Sequence, residues 1–379
     1  MRENMKKVFI RTFGCQMNVR DSEIIGGLLK KAGYKISADD KDAEIIIFNT
    51  CSVRKHAEDR VWSLIGSYKG SKIIGLVGCM AQSYRDKAFE RDENISFVVG
   101  PQDIHKLPEI LEKFPGNSLF ERRILEVDNK LRPEDIYHSG FYQNKHHAYV
   151  VISEGCSNYC SYCIVPYVRG PLRHRKNEKI LIEIKDAIAQ GVTEVTLLGQ
   201  NVNAYSDRNI DFTKLLEQVN ELKGLKKFDF FTSHPKDANI NHFKAIRDLD
   251  KLAKALHLPL QSGSDRVLKL MNRGYTGKDY LSLIDSYRKI VKGGWLTTDI
   301  IVGFPTETDK EFKETYSLMK KIEFNAAYIF KYSLRPYTEA AKIADDVARG
   351  EKERRHKKVL DLQRGISNKL RGSCKNAKN

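Results

Sequence analysis

Three cysteines each stand directly past the end of a short apolar run: Cys15 after VFIRTFG, Cys51 after IIIFNT and Cys79 after IIGLVG. These runs alternate with helix-like stretches, DSEIIGGLLKKAG and VRKHAEDRVWSLIGSYK, and the rhythm continues through ISFVVG and IHKLPEILEKF. Such a βαβα alternation implies a mostly parallel, doubly wound α/β sheet with helices on both faces. The carboxyl ends of its strands lie along one edge, where ligands bind. Cysteines tens of residues apart in sequence are thereby expected to converge. The competing reading, buried cysteines acting as small hydrophobes, does not account for the repeated placement.

A second alternating series follows, from AYVVISE through EVTLLGQN, KKFDFFTS, KALHLPLQS and LTTDIIVGF to NAAYIFKYS. Helices are expected near 177–190, 211–223 and 277–292. Six strand-helix units in about 200 residues imply an incomplete (β/α)6 barrel rather than the closed eight-unit form. Between the two series Pro, Gly, Asn and charged residues accumulate and periodicity fades, which reads as a linker. The expected organisation is an N-terminal domain at 1–120, a linker at 121–144, a barrel at 145–345, and a basic helix and tail at 346–379.

At the end of the first barrel strand stands EGCSNYCSYC, with Cys156, Cys160 and Cys163 spaced C-x3-C-x2-C. Three thiolates from one loop can hold a metal centre, but a structural zinc site needs a fourth protein ligand. His174 lies in RGPLRHRK, a basic stretch that repels a cation. Structural zinc and a 4Fe-4S cluster with an open iron both remain readings of the loop. The apolar start VFI is broken at Arg11, so there is no signal-peptide core. No run approaches the roughly 18 apolar residues of a membrane span. The chain therefore reads as cytoplasmic, where seven cysteines are metal ligands or reactive thiols rather than disulfides. A net charge of +16 points to a polyanionic partner, with a solvated basic surface as the alternative. From Arg349 to Asn379 there are eleven Lys/Arg against three Asp/Glu, a net of +8, so about half the excess lies in the last segment.

The C-x3-C-x2-C loop, with Tyr162 before its last cysteine, resembles the radical S-adenosylmethionine superfamily. With GCQMN, NTCSVR, GCMAQ, CIVPYVRG and LPLQSGSDRVLKLMNRGYT, residues 7 to about 370 resemble its methylthiotransferase family, most closely the branch that methylthiolates N6-isopentenyladenosine in tRNA. The resemblance implies two 4Fe-4S clusters. Cys156, Cys160 and Cys163 would bind the radical-generating one, whose open iron takes S-adenosylmethionine and yields a 5'-deoxyadenosyl radical. Cys15, Cys51 and Cys79 would bind an auxiliary one that carries or donates sulfur.

It further implies cofactor contacts at Gly199, Gln200 and Asn201, and at Ser233, Gln261 and Ser262, with IIVGFPTET near the adenine. Tyr162 is a candidate for packing on that adenine, with ordinary packing as the alternative; Asp299 and Arg273 are either polar site residues or routine salt-bridge partners. The basic stretch with Arg169, Arg173, Arg175, Lys176 and Lys179 is the expected contact for tRNA phosphates. The implied reaction is methylthio addition at C2 of the isopentenylated adenosine at position 37, beside the anticodon. A flavodoxin or ferredoxin would supply the electrons. Alternatives are a methylthiotransferase for another modified adenosine or a protein, and a non-catalytic iron-sulfur RNA-binding remnant. Two departures stand out: Thr306 and Tyr337 occupy positions where the family has glycine. The chain also ends at SNKLRGSCKNAKN without the strands of the family's C-terminal TRAM domain, which is expected to be absent or truncated.

Overall fold

The computed structural model describes residues 6–52, 55–68, 72–114, 122–128 and 130–376. The chain begins with β1 (Lys7–Phe13), α1 (Gln16–Lys31), β2 (Lys35–Ile36), β3 (Ile45–Thr50), α2 (Lys55–Ile65) and β4 (Ile73–Gly78). Next come α3 (Cys79–Tyr84), α4 (Lys87–Arg91), β5 (Ile95–Val99), α5 (Leu107–Glu112) and β6 (Ile124–Glu126). The strands form one six-stranded parallel sheet in the order β2-β1-β3-β4-β5-β6. β3 and β4 are buried along their whole length, as central strands led by apolar runs are, with the polar Asn49 and Thr50 at the end of β3 buried too. One face packs on Ile24, Ile25 and Leu29 of α1 and Leu107 and Ile110 of α5. The other packs on Val61, Trp62 and Ile65 of α2 and Met80 and Ala81 of α3. The winding reverses between β1 and β3, where doubly wound sheets bind ligands.

The chain continues with β7 (His147–Val151), β8 (Ser153–Glu154), α6 (Val165–Arg169), β9 (Arg173–His174), α7 (Asn177–Ala189) and β10 (Glu194–Leu198). Then follow β11 (Ser206–Asp207), β12 (Ile210–Asp211), α8 (Phe212–Asn220), β13 (Lys227–Phe231), α9 (Ile240–Asp248) and β14 (Ala255–His257). The last elements are α10 (Asp265–Leu270), α11 (Gly277–Ile290), β15 (Trp295–Val302), α12 (Asp309–Ile322), β16 (Ala326–Lys331) and α13 (Arg349–Asn376). β7, β10, β13, β14, β15 and β16, with helices between them, follow the rhythm of the six expected strand-helix units and form two three-stranded sheets, β13-β10-β7 and β14-β15-β16. β10 pairs parallel with β7, and β15 pairs parallel with both β14 and β16.

By compactness the chain forms two units, 1–156 with 164–198, and 157–163 with 199–379. The first therefore holds the six-stranded sheet together with β7 and β10. Residues read from sequence as a linker carry β6 and place Ile136 and Tyr137 in the first unit's core. In the second unit α13 is docked on β16. His356 bonds the Ile329 carbonyl, Gln363 donates to the Phe324 carbonyl, and Val359 is fully buried. Its outer face exposes Lys357, Lys358, Arg364 and Arg371. Among the described residues no helix is long and apolar enough to cross a membrane.

Candidate functional site

Cys15, Cys51 and Cys79 all lie just past β1, β3 and β4, the strands that flank and follow the switch point. Cys15 begins α1, and Asn18 Oδ1 accepts from both its N–H and its thiol at 3.4 Å. Asn18 is tied in turn to the end of β3. Its Nδ2 donates to Asn49 Oδ1 at 3.1 Å, and Asn49 donates back to the Asn18 carbonyl at 2.8 Å. This buried amide pair fixes Cys15 against Cys51. Before Cys79, Gly78 takes φ +92, and a Cβ there would come 2.7 Å from Asn49 Oδ1. Only glycine turns the chain at that point without colliding with the amide network.

Arg169, at the end of α6, completes this edge. It is 2% exposed, donates from Nε to Cys79 Sγ at 3.1 Å and from Nη2 to Asp21 Oδ2 at 2.7 Å. Asp21 is held on its other oxygen by Arg132 at 2.8 Å. The hydrogen bond with Cys51, helped by the Arg169 charge, pulls the Cys15 thiol down to about 6. Burial pushes the Cys79 thiol up, and Arg169 opposes it. Arg169 acts on both Cys15 and Cys79, so the three strand ends deliver their thiols to one cationic neighbourhood.

In the EGCSNYCSYC loop, Gly155 at φ +72 lets the chain pass the Pro171 carbonyl, which a Cβ would approach to 2.1 Å. The Cys156 N–H then donates to the Gly170 carbonyl at 3.1 Å. Cys160 is buried, and Cys163 donates its N–H to the Cys160 carbonyl at 2.9 Å. The loop is anchored in the second unit by Ser161, whose N–H donates to the Met271 carbonyl and whose carbonyl accepts from Ala340. Arg273, 4% exposed, donates from Nη1 to Cys160 Sγ at 3.3 Å and to the Tyr162 hydroxyl at 3.4 Å. The Tyr162 ring packs partly against Val267, Met271 and Phe304.

None of the six cysteines is joined in a disulfide, and the Cys374 side chain lies outside the described residues. Among the described residues no three His, Cys, Asp or Glu side chains close on one point as a single ion requires. A cubane cluster holds its thiolates farther apart than one ion does. The buried arginine on a cysteine sulfur in each set matches the anionic centre that thiolate ligation of such a cluster creates.

The amide and hydroxyl residues at the strand ends divide. Gln200 Oε1, Asn201 Oδ1, Ser233 Oγ and Gln261 Oε1 are buried atoms without a hydrogen-bond partner, a costly state that a polar ligand relieves. Asn201 is aimed by its Nδ2 bond to Asp237 at 2.7 Å, and Gly199 donates its N–H to the Phe231 carbonyl at 3.1 Å. Ser262 differs from the expectation. Its hydroxyl is turned inward, 3.3 Å from the Thr315 hydroxyl, and accepts from Ser264 N–H at 3.2 Å, so it faces the α12 packing rather than a ligand. Asp299 faces His257 at 3.4 Å.

His234, which the sequence reading passed over, is buried. Its Nδ1 accepts from Lys236 N–H at 3.2 Å, while Nε2 has no partner. Burial, with the nearby charges of Arg273 and Lys236, drives it down to about 2, so it is neutral and carries its proton on the unpartnered Nε2. The TSHP segment at the end of β13 carried its only sequence signal.

The basic stretch is corrected in part. Arg169 is committed to Cys79 and Asp21. Arg175 is buried and paired with Glu183 at 2.5 Å and Glu134 at 2.7 Å. Neither reaches a phosphate without breaking a buried ion pair. Arg173, partly exposed, donates from Nη2 to the Arg169 carbonyl at 3.2 Å and faces Glu154 at 3.7 Å, which leaves the exposed Lys176, with Lys179 beside it, to meet a phosphate.

Residues 150–319 match the family described as the Radical SAM superfamily, and residues 7–100 match the one described as Uncharacterized protein family UPF0004. A curated relative from Clostridium beijerinckii, described as tRNA-2-methylthio-N(6)-dimethylallyladenosine synthase, is 41% identical over 378 residues, covering 95% of this chain and 81% of its own. A relative of the same description from Protochlamydia amoebophila is 42% identical over 376 residues, covering 97% and 83%. Among solved structures, a radical S-adenosylmethionine methyltransferase from Kitasatospora setae, with cobalamin and a 4Fe-4S cluster bound, shares the fold with a TM-score of 0.61. It is 13% identical, and the match covers 89% of this chain and 77% of that one.

Proposed function

The chain belongs to the radical S-adenosylmethionine methylthiotransferases of the tRNA-2-methylthio-N(6)-dimethylallyladenosine synthase family, and from that premise we propose how its residues divide the work. It is a tRNA-modifying transferase that adds a methylthio group to C2 of N6-isopentenyladenosine, at position 37 beside the anticodon. The observation that carries the assignment of residues is the pairing of each cysteine set with a buried arginine on one of its sulfurs, Arg169 on Cys79 and Arg273 on Cys160.

When bound, two 4Fe-4S clusters and S-adenosylmethionine supply the one-electron reduction, the carbon radical and the sulfur that breaking an aromatic C–H bond demands. The chain's own residues hold and orient these groups. Cys15, Cys51 and Cys79 take one cluster, and Cys156, Cys160 and Cys163 the other. Gln200, Asn201, Ser233 and Gln261 satisfy their unpartnered atoms on the polar groups of S-adenosylmethionine, and Tyr162 packs beside it. A base in the anticodon loop is unpaired, so it reaches a recessed site without strand opening. Lys176 and Lys179, with the exposed lysines and arginines of α13, contact phosphates. The setting is the cytoplasm, with a flavodoxin or ferredoxin as electron donor.

Anaerobic reconstitution is expected to give about eight iron and eight sulfide per chain. Nucleosides from cells lacking the gene, analysed by mass spectrometry, are expected to lose the 2-methylthio derivative while retaining N6-isopentenyladenosine. Unchanged methylthio-adenosine would overturn the assignment of substrate, and zinc without sulfide would overturn the assignment of clusters.

A further inference from the structure

Arg169 is the one buried guanidinium of the first unit that touches a cysteine sulfur among the described residues. Of its three nitrogens, Nε donates to Cys79 Sγ at 3.1 Å and Nη2 to Asp21 Oδ2 at 2.7 Å. The third, Nη1, is buried without a hydrogen-bond partner. A buried guanidinium N–H left unpaired is costly, so an acceptor is expected there when the protein is loaded. The other acceptors of Asp21 are not available to it, since Arg132 occupies Oδ1. The carbonyl of Arg169 accepts from Gln102 Nε2 at 3.4 Å and Arg173 Nη2 at 3.2 Å, which fixes the end of α6 and so the direction of the guanidinium. Ile164 and Val168 of the same segment pack against Cys79. Arg169 Nε and the apolar side of its helix thus both face Cys79.

We propose that Arg169 is a positioning residue for the auxiliary cluster, donating N–H bonds to the Cys79 thiolate through Nε and to a second anionic sulfur of the bound centre through Nη1. This rests on the two-cluster reading above. Asp21 locks the guanidinium in that orientation, and Arg132 locks Asp21. Hydrogen bonds and positive charge at cluster sulfurs stabilise the more negative, reduced form and raise its potential. Arg169 therefore sets the potential of the auxiliary centre and favours retention of anionic sulfur there. It also lies six residues after Cys163, so the segment leaving the radical loop carries the residue that tunes the other cluster.

The test uses the full chain with Cys156, Cys160 and Cys163 replaced by alanine, so that only the auxiliary cluster is reconstituted. Iron and sulfide are counted, and the midpoint potential is read by spectroscopically monitored titration. Arg169→Gln is expected to shift the midpoint to a more negative value with iron retained, and Arg169→Lys, which keeps the charge but loses the fork, to fall between it and the parent. If Arg169→Gln sheds the cluster, Arg169→Lys is expected to hold it at a midpoint below the parent's. A variant that holds full iron at the parent's midpoint overturns the proposal. So does loss of all iron by both variants with the fold intact, because the role would then be assembly rather than tuning. A parent chain without sulfide at this trio would instead overturn the two-cluster reading, so the two failures are distinguishable.

Discussion

The two cysteine sets solve one problem with opposite means. Cys15, Cys51 and Cys79 are gathered by tertiary structure, from three strand ends of a sheet, whereas Cys156, Cys160 and Cys163 come from one ten-residue loop. Each has a buried arginine on a sulfur, but the arginines are neutralised differently. Arg169 is paired with the buried carboxylate of Asp21. Arg273 is held by the Pro259 carbonyl at 2.9 Å and the Tyr275 hydroxyl at 2.9 Å, and among the described residues no carboxylate joins it. A buried cation without a protein anion needs its charge balanced by what binds there. The first site therefore carries its countercharge in the protein, while the second depends on its cluster.

The largest expected effect tests whether the sets are independent. Cys79→Ala and Cys160→Ala should each remove about four of about eight iron atoms and abolish methylthiolation, leaving the other cluster's spectrum intact. A single substitution that empties both sets would show that the sheet edge and the loop assemble as one site.

The next effect bears on countercharge. Stripping both clusters with a chelator should loosen the surroundings of Arg273 more than those of Arg169, because an uncompensated buried charge costs on the order of 3–5 kcal/mol. Hydrogen exchange resolved along the chain reads this directly. The faster-exchanging amides are expected around Ser161 and Arg273, with β3 and β4 little changed. Asp21→Asn should remove the difference, destabilising the first unit by about 3–5 kcal/mol, since it leaves both Arg132 and Arg169 without their shared anion. Equal protection of both regions in the stripped protein would refute the distinction.

These contrasts show which parts were legible in the sequence. The strand ends were, because IIIF and IIGLVG are apolar runs and a strand buried on both faces must place the residues that follow it on the sheet edge. The loop spacing was too, because three thiols within eight residues need no tertiary inference. Arg169 and Arg175 were not. A run of basic residues reads as a solvated or phosphate-binding face, and nothing local reveals that carboxylates 148 and eight positions away claim two of its members. The first turns of α1 are equally opaque. Asn18, Arg20, Asp21, Ser22 and Glu23 look like a wet helix face, yet all are buried, serving the amide pair, Arg169 and Glu183. Ser262 was assigned from its motif, and only the packing of Thr315 shows that its hydroxyl turns inward.

Acidification should separate the units as well. The neutral, buried His234 lies far below its ordinary value of 6.5, at about 2, so the unfolded chain takes up its proton first. Its contribution is complete above pH 6.5 and is lost progressively as the pH falls below that. In the first unit Arg169 and Arg132 hold the Asp21 carboxyl below its ordinary 3.8 against its burial, so that contribution is present above pH 3.8 and lost only beneath it. Glu23, pushed up by burial, gains its proton early in the folded state and works the other way. Between pH 7 and 5 the second unit is thus expected to lose protection while the first holds. His234→Asn keeps an acceptor for the Lys236 N–H and should reduce that slope, leaving the part set by His242, which burial lowers to about 4 in the same unit. An unchanged slope would place the acid sensitivity elsewhere.

The smallest effect concerns backbone strain, which also falls unevenly. Among the described residues Arg85 is the one non-glycine with positive φ in the first unit, while the second has Tyr159, Arg208, Gln261, Asn272, Thr306, Glu323 and Tyr337. Thr306 and Tyr337, which replace the glycines of the resembling family, sit at φ +66 and +69. The substitutions thus act on backbone conformation. β-branched threonine is especially disfavoured in the left-handed region, at a cost of roughly 1–3 kcal/mol. Glycine removes that strain but adds freedom to the unfolded chain, so each replacement should gain only about 0.5–1 kcal/mol. Thr306→Gly also gives up the Oγ1 bond from Arg266 at 3.2 Å, an exposed contact of little weight, while the Thr306 N–H bond to Asp346 at 2.7 Å survives. Tyr337→Gly removes a side chain that is 55% exposed. Both variants should unfold about 1–3 °C higher in the transition of the second unit and leave the first unit's transition unmoved. Lower melting in either would mean that the side chain holds its segment in place more strongly than the left-handed backbone resists it. The second unit's strain would then be maintained by its contacts rather than merely tolerated.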